Sequence, residues 1–146
     1  MFYHPSGRLV FILSQPPAHM SRKERRVWDS TMPKILLVED EELVRLVLKA
    51  VLESNGYEVQ EATSGKGALL SYARSPPDLI LTDIVMPDIE GIEMIIQIRK
   101  RDPNVKVIAM SGRDYLDIAR KVGADRTLAK PFTNQALLDA VKETLG

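Results

Sequence analysis

Cysteine is absent from the 146 residues, which excludes disulfides and any thiolate metal site. That absence suits a reducing compartment. Long apolar runs are missing too. The run Leu9 to Leu13 is far too short to span a membrane and is short for a signal-peptide core. Charge of one sign does not dominate either: 20 Lys and Arg balance 20 Asp and Glu. Residues 1–31 hold five of those bases and two of the acids, so the body from residue 32 onward is mildly acidic. A mildly acidic body leaves no broad footprint for nucleic acid. Finally, no Gly-rich loop follows the first strand-like run, Ile35 to Val38, which argues against a dinucleotide-binding fingerprint.

What is present divides at residue 32. Residues 1–31 are broken by Pro5, Pro16 and Pro17 and carry a basic cluster, Arg22 to Arg26, of the kind that forms a solvated charge run. They read as an extension, disordered or not native, with Met32 as the natural start or at least the start of the folded domain. Residues 32–146 suit a single domain with a real core. Ile35 to Val38 is continuously apolar, as in a central parallel strand covered on both faces. Glu41 to Asn55 places Val44, Val47, Leu48 and Val51 at helical spacing, and Gly56 supplies the stop. Tyr57 to Glu61 alternates like an edge strand, and Ser64 is a helix cap for a segment reaching Arg74. The pattern then repeats: a strand ending at Asp83, a helix over Gly91 to Arg101, and a strand over Val105 to Met110. A helix over Asp114 to Val122, a short strand at Thr127 to Ala129 and a last helix capped by Thr133 complete it. Five strand–helix units in alternation predict a parallel sheet with helices on both faces.

In such a sheet the carboxyl ends of the strands share one edge, where ligands bind. The first strand runs into Glu39 and Asp40, the third ends at Asp83, the fourth at Ser111, and the fifth at Lys130 and Pro131. Three carboxylates in one pocket resist joint ionisation. A hard divalent cation relieves that conflict, and oxygen ligands without His or Cys favour Mg²⁺. Lys130 adds a mobile point charge and Ser111 a hydroxyl donor. A nucleophilic carboxylate, a cation and donors are the parts of an aspartyl-phosphate site. Each part also has an ordinary reading: an acidic helix start, a surface lysine, a Ser-Gly turn. Their joint placement on four strand ends is what favours the chemical one.

These residues, in this order, resemble the receiver domain of bacterial response regulators, of the chemotaxis-regulator type. The matching motifs are Lys34 to Asp40 (KILLVED), Asp83 to Asp88 (DIVMPD) with Gly91, Ala109 to Gly112 (AMSG), and Lys130 to Phe132 (KPF). The resemblance covers Met32 to Gly146. It implies a flavodoxin-like doubly wound (βα)5 fold with strand order 2-1-3-4-5. It implies that Asp83 accepts a phosphoryl group from a sensor histidine kinase or a histidine phosphotransfer protein. Glu39, Asp40 and Asp83 would hold Mg²⁺, with the backbone carbonyl of Val85 completing the set. Ser111 and Lys130 would contact the phosphoryl group, and the Lys130–Pro131 bond would be cis. Phosphorylation would draw Ser111 inward and alter the face made by the fourth helix, fifth strand and fifth helix. Many family members carry an aromatic residue where Thr127 stands; this departure takes the ring out of that switch and leaves its hydroxyl half. Arg113 and Val85 flank the path of attacking water and would tune the lifetime of the phosphorylated state.

The expectation is a stand-alone cytoplasmic receiver that is a phosphoacceptor rather than an enzyme. It would act through a protein target, as monomer or phosphorylation-dependent homodimer, with no nucleic acid or membrane partner. A phosphatase of the haloacid-dehalogenase kind would want a second acid two residues after its nucleophile, where this chain has Val85. A pseudo-receiver that is never phosphorylated would have no need of the intact set Glu39, Asp40, Asp83, Ser111 and Lys130.

Overall fold

The computed structural model describes residues 2–3, 9–10, 18–25, 32–86 and 90–146. Pro87 and Asp88, the end of the motif that begins at Asp83, lie outside the described residues. So does most of the expected N-terminal extension. Within that extension Phe2–Tyr3 pairs antiparallel with Leu9–Val10. Residues 22–25 form one helical turn. Ser21 and Glu24 cap that turn reciprocally, each side chain accepting from the other's amide.

From Lys34 the chain alternates strand and helix. The elements are β1 (Lys34–Val38), α1 (Glu42–Glu53), β2 (Glu58–Ala62), α2 (Gly65–Arg74) and β3 (Leu79–Asp83). They continue as α3 (Glu90–Arg101), β4 (Lys106–Ser111), α4 (Leu116–Val122), β5 (Arg126–Ala129) and α5 (Asn134–Leu145). The five strands form one parallel sheet of order β2-β1-β3-β4-β5. The parallel sheet is the one expected from the alternation, and its doubly wound order is the one the resemblance implies.

The central strands are buried because they are apolar on both faces. Every residue of β3 is buried, and Ile35 to Val38 are fully so. Alternate strand residues feed two separate cores. Leu36, Val38, Ile80, Val107 and Ala109 pack with α2, α3 and Ala119 of α4. Ile35, Leu37, Leu79, Leu81, Ile108 and Met110 pack with α1 and α5. Strand β2 is the expected edge, its side chains only partly covered apart from Ala62.

Local signals set the helix ends. Ser64 Oγ accepts from the Gly67 amide and Thr133 Oγ1 from the Ala136 amide, both at 3.0 Å, which satisfies free amides in each first turn. Gly56 turns the chain after α1 with φ +91°, in the left-handed region that glycine enters freely. Two expectations shift. A 3-10 turn, Arg113–Tyr115, precedes α4 where one continuous helix was predicted. In α1 the buried residues are Leu48 and Leu52, flanked by Val44 and Val51, while Val47 is 56% exposed. The helix is apolar nearly all round, so spacing alone did not fix which stripe faces the sheet.

Candidate functional site

Because the strands are parallel, their carboxyl ends meet on one edge. Val38 lies beside both Ala62 and Thr82, Asp83 beside Met110, and Ser111 beside Ala129. Glu39, Asp40, Asp83, Ser111 and Lys130 are thereby brought to neighbouring strand ends. One carboxylate oxygen from each of Glu39, Asp40 and Asp83 lies within 4.8 Å of the others. Lys130 Nζ donates to Asp83 Oδ2 at 3.2 Å and stands 4.0 Å from Glu39 Oε1. Asp83 is 6% exposed, Glu39 and Ser111 1% each, and Asp40 faces solvent.

Backbone bonds hold the strand ends in place. The Lys130 amide donates to Ser111 O at 2.8 Å, tying β5 to β4 beyond the last ladder pair. The Ile84 amide donates to Met110 O at 3.0 Å, and Thr82 Oγ1 donates to Asp83 O at 2.9 Å. The Val85 amide donates to Asp83 Oδ1 at 3.2 Å, which turns that carboxylate toward the loop. Gly91 opens α3 against the same loop. A Cβ there would stand 2.5 Å from Asp83 O and 2.8 Å from Ile84 Cα, so only glycine allows the approach. The Lys130–Pro131 bond is cis.

The electrostatics follow from burial. Desolvation pushes the Glu39 carboxyl up to about 8, helped by the hydrogen bond its protonated form gives to Asp83 and by the Asp83 charge, and opposed by Lys130. Among the described residues its Oε2 is buried without a partner, and so is Ser111 Oγ. Buried polar atoms are nearly always satisfied, so two orphans in one crevice mark a place shaped for something else. Three carboxylates offering hard oxygen donors, one oxygen unpaired, fit Mg²⁺. A phosphoryl oxygen would suit the free hydroxyl.

The remaining residues singled out in the sequence lie further out. Arg113 is exposed at the start of the 3-10 turn, and Val85 is 52% exposed at the rim. Thr127 does not point an aromatic ring anywhere. Its Oγ1 accepts from Arg120 Nη2 at 2.7 Å, linking β5 to α4. One contributor escaped the sequence: Arg45 of α1, whose guanidinium reaches back to the Glu39 carbonyl. Its one legible signal is a base in the second turn of an otherwise largely apolar helix, four residues before Lys49.

Comparison with known proteins agrees with this geometry. Residues 35–142 match the response regulator receiver domain family. The chain is 38% identical over 114 residues to the chemotaxis protein CheY of Thermotoga maritima, covering 75% of this chain and 95% of that protein. It is 36% identical over 115 residues to the sporulation initiation phosphotransferase F of Bacillus subtilis, covering 77% and 93%. Among solved structures it is similar to a CheY-like receiver domain protein of Methanospirillum hungatei. There the TM-score is 0.73 and the identity 32%, covering 78% of this chain and 94% of that one.

Proposed function

Because the chain belongs to the response regulator receiver domain family, we propose that Asp83 is its phosphoacceptor. The carrying observation is the Lys130 ammonium at 3.2 Å from Asp83 Oδ2, in a crevice where three carboxylates converge. In the transfer, the N–P bond of a phosphohistidine breaks and an O–P bond forms to an Asp83 oxygen. The donor imidazole leaves and takes a proton from solvent. Lys130 balances charge on the transferring group, and Ser111 Oγ, without another partner among the described residues, donates to it. Glu39, Asp40 and Asp83 would hold Mg²⁺ together with the Val85 carbonyl. When bound, the ion supplies charge neutralisation at the phosphoryl oxygens.

The donor is a sensor histidine kinase or a histidine phosphotransfer protein, and the readout is a protein target. The face that would change is α4, β5 and α5. It carries a groove of about 390 Å³ lined by residues that include Arg120, Arg126, Thr127, Asp139 and Glu143. With Thr127 in place of a ring, the signal passes through the Ser111 loop and the Arg120–Thr127 bond. Arg113 and Val85, both exposed, set how readily water reaches the acyl phosphate. The chain is a cytoplasmic phosphoacceptor and not an enzyme with a separate substrate. Among its described residues no helix is long and apolar enough to cross a membrane.

The test is labelling by a small phosphodonor with Mg²⁺, followed by intact-protein mass. One phosphoryl group per chain is expected, absent in Asp83→Asn and absent after chelation. Undiminished labelling of Asp83→Asn would sink the assignment. An unphosphorylated wild type would favour a pure interaction module.

A further inference from the structure

We propose that Arg45 is a positioning residue that orients the Glu39–Asp40 peptide and so sets the Mg²⁺ affinity of the acid pair; this rests on the metal reading above. The need for such a residue follows from where the sheet stops. Val38 is the last ladder residue of β1. Beyond it the Glu39 amide still donates to Ala62 O, at 3.0 Å. The Glu39 carbonyl has no strand partner in the ladder, and Arg45 supplies one: its Nη1 donates to Glu39 O at 3.0 Å. With amide and carbonyl both held, the plane that leads into Asp40 has little freedom.

Arg45 can do this because it is itself fixed. Long helical side chains lean toward the helix N-terminus, which aims Arg45 back over the first turn of α1. Its Nε pairs with Glu61 Oε1 at 3.3 Å, and the other oxygen of Glu61 pairs with Lys49 Nζ at 3.0 Å. The Arg45 side chain is only 16% exposed. The guanidinium fork serves two partners at once, which an ammonium on a flexible stem does poorly.

A cation near a metal site also repels the metal, so the sign needs deciding. Glu61, shared with Lys49, offsets part of the Arg45 charge at contact distance, and solvent and salt screen what remains at the acid pair. The hydrogen bond to the Glu39 carbonyl is local and undiminished. Orientation therefore outweighs repulsion, and loss of Arg45 weakens Mg²⁺ binding. Groups that orient metal ligands are typically worth about tenfold or more in affinity.

The experiment is calorimetric titration of the full chain with MgCl₂, unphosphorylated, for wild type, Arg45→Met and Arg45→Lys. Circular dichroism checks that each variant is folded. Positioning predicts a dissociation constant raised about tenfold in Arg45→Met, with Arg45→Lys raised by a smaller factor despite its intact charge. If Arg45 acts only by charge, Arg45→Lys matches wild type and Arg45→Met binds Mg²⁺ more tightly; either result overturns the proposal. Arg45→Lys alone decides the matter if the methionine variant does not fold. Absence of Mg²⁺ binding by wild type would overturn the metal reading itself, whereas equal binding by all three overturns only the role of Arg45.

Discussion

Glu39 is a carboxyl that the fold holds neutral around pH 7. Burial raises it from 4.5 to about 8, and the nearby Asp83 carboxylate adds to the rise. The sign of its effect on stability follows. A raised acid favours the folded state fully below about 4.5, and that contribution fades as pH climbs through about 8. Mg²⁺ reverses the preference, because a ligand must be a carboxylate and binding then expels the proton. Affinity for Mg²⁺ should therefore climb between pH 6 and pH 8, approaching about tenfold per unit for one displaced proton, and level off above. Calorimetry in two buffers of different ionisation enthalpy would show close to one proton released at pH 7 and few at pH 9. Affinity that stays flat from pH 6 to 8 would place Glu39 outside the metal's ligand set.

At the scale of elements, the start of α3 and the end of β3 are packed to the backbone. Gly91→Ala would drive a methyl into Asp83 O and Ile84 Cα, neither of which can rotate away. The helix must shift, so a loss of about 2 kcal/mol is expected in urea unfolding, in the range for overpacked sites. Phosphoryl uptake should slow as well, because the displaced atoms belong to the Asp83 loop. How much of this was legible in advance depends on the kind of contact. Apolar strands and capped helices announce themselves, and the β–α alternation predicts the sheet. Glu39, Asp40, Asp83, Ser111 and Lys130 stood out because each ends a strand, and parallel pairing then brings them together. Arg45 did not, since its role depends on how α1 folds back over the β1 exit. Helical spacing groups Val47 with Val44, Leu48 and Val51, but α1 offers apolar residues on every side, and only the sheet selects among them. The 3-10 turn before α4 lacked a side-chain cap signal: Gly112 makes no cap hydrogen bond.

Across the whole molecule, two sound cores support an edge that works against them. The strands bury apolar residues on both faces, yet the same sheet crowds three acids at its carboxyl end. Functional groups of this kind are held at the expense of stability, and replacing one is a common route to a firmer fold. The opposing term is the Lys130–Asp83 pair, but Lys130 is 34% exposed, and pairs with that access contribute about 1 kcal/mol at most. Asn at residue 83 retains an oxygen for the Val85 amide. It also leaves Glu39 free to ionise and pair with Lys130, 4.0 Å away. Repulsion among buried acids is the larger effect once Glu39 is charged. In EDTA at pH 9, Asp83→Asn should therefore unfold at higher urea than wild type, by about 1 kcal/mol. At pH 6 the gain should shrink, because a proton on Glu39 already relieves the crowding. Saturating Mg²⁺ should close the gap from the other side, since a ligand held by the native state alone stabilises wild type by mass action. A variant less stable than wild type at pH 9 without metal would mean that the lysine pair, not the crowding of acids, governs this edge.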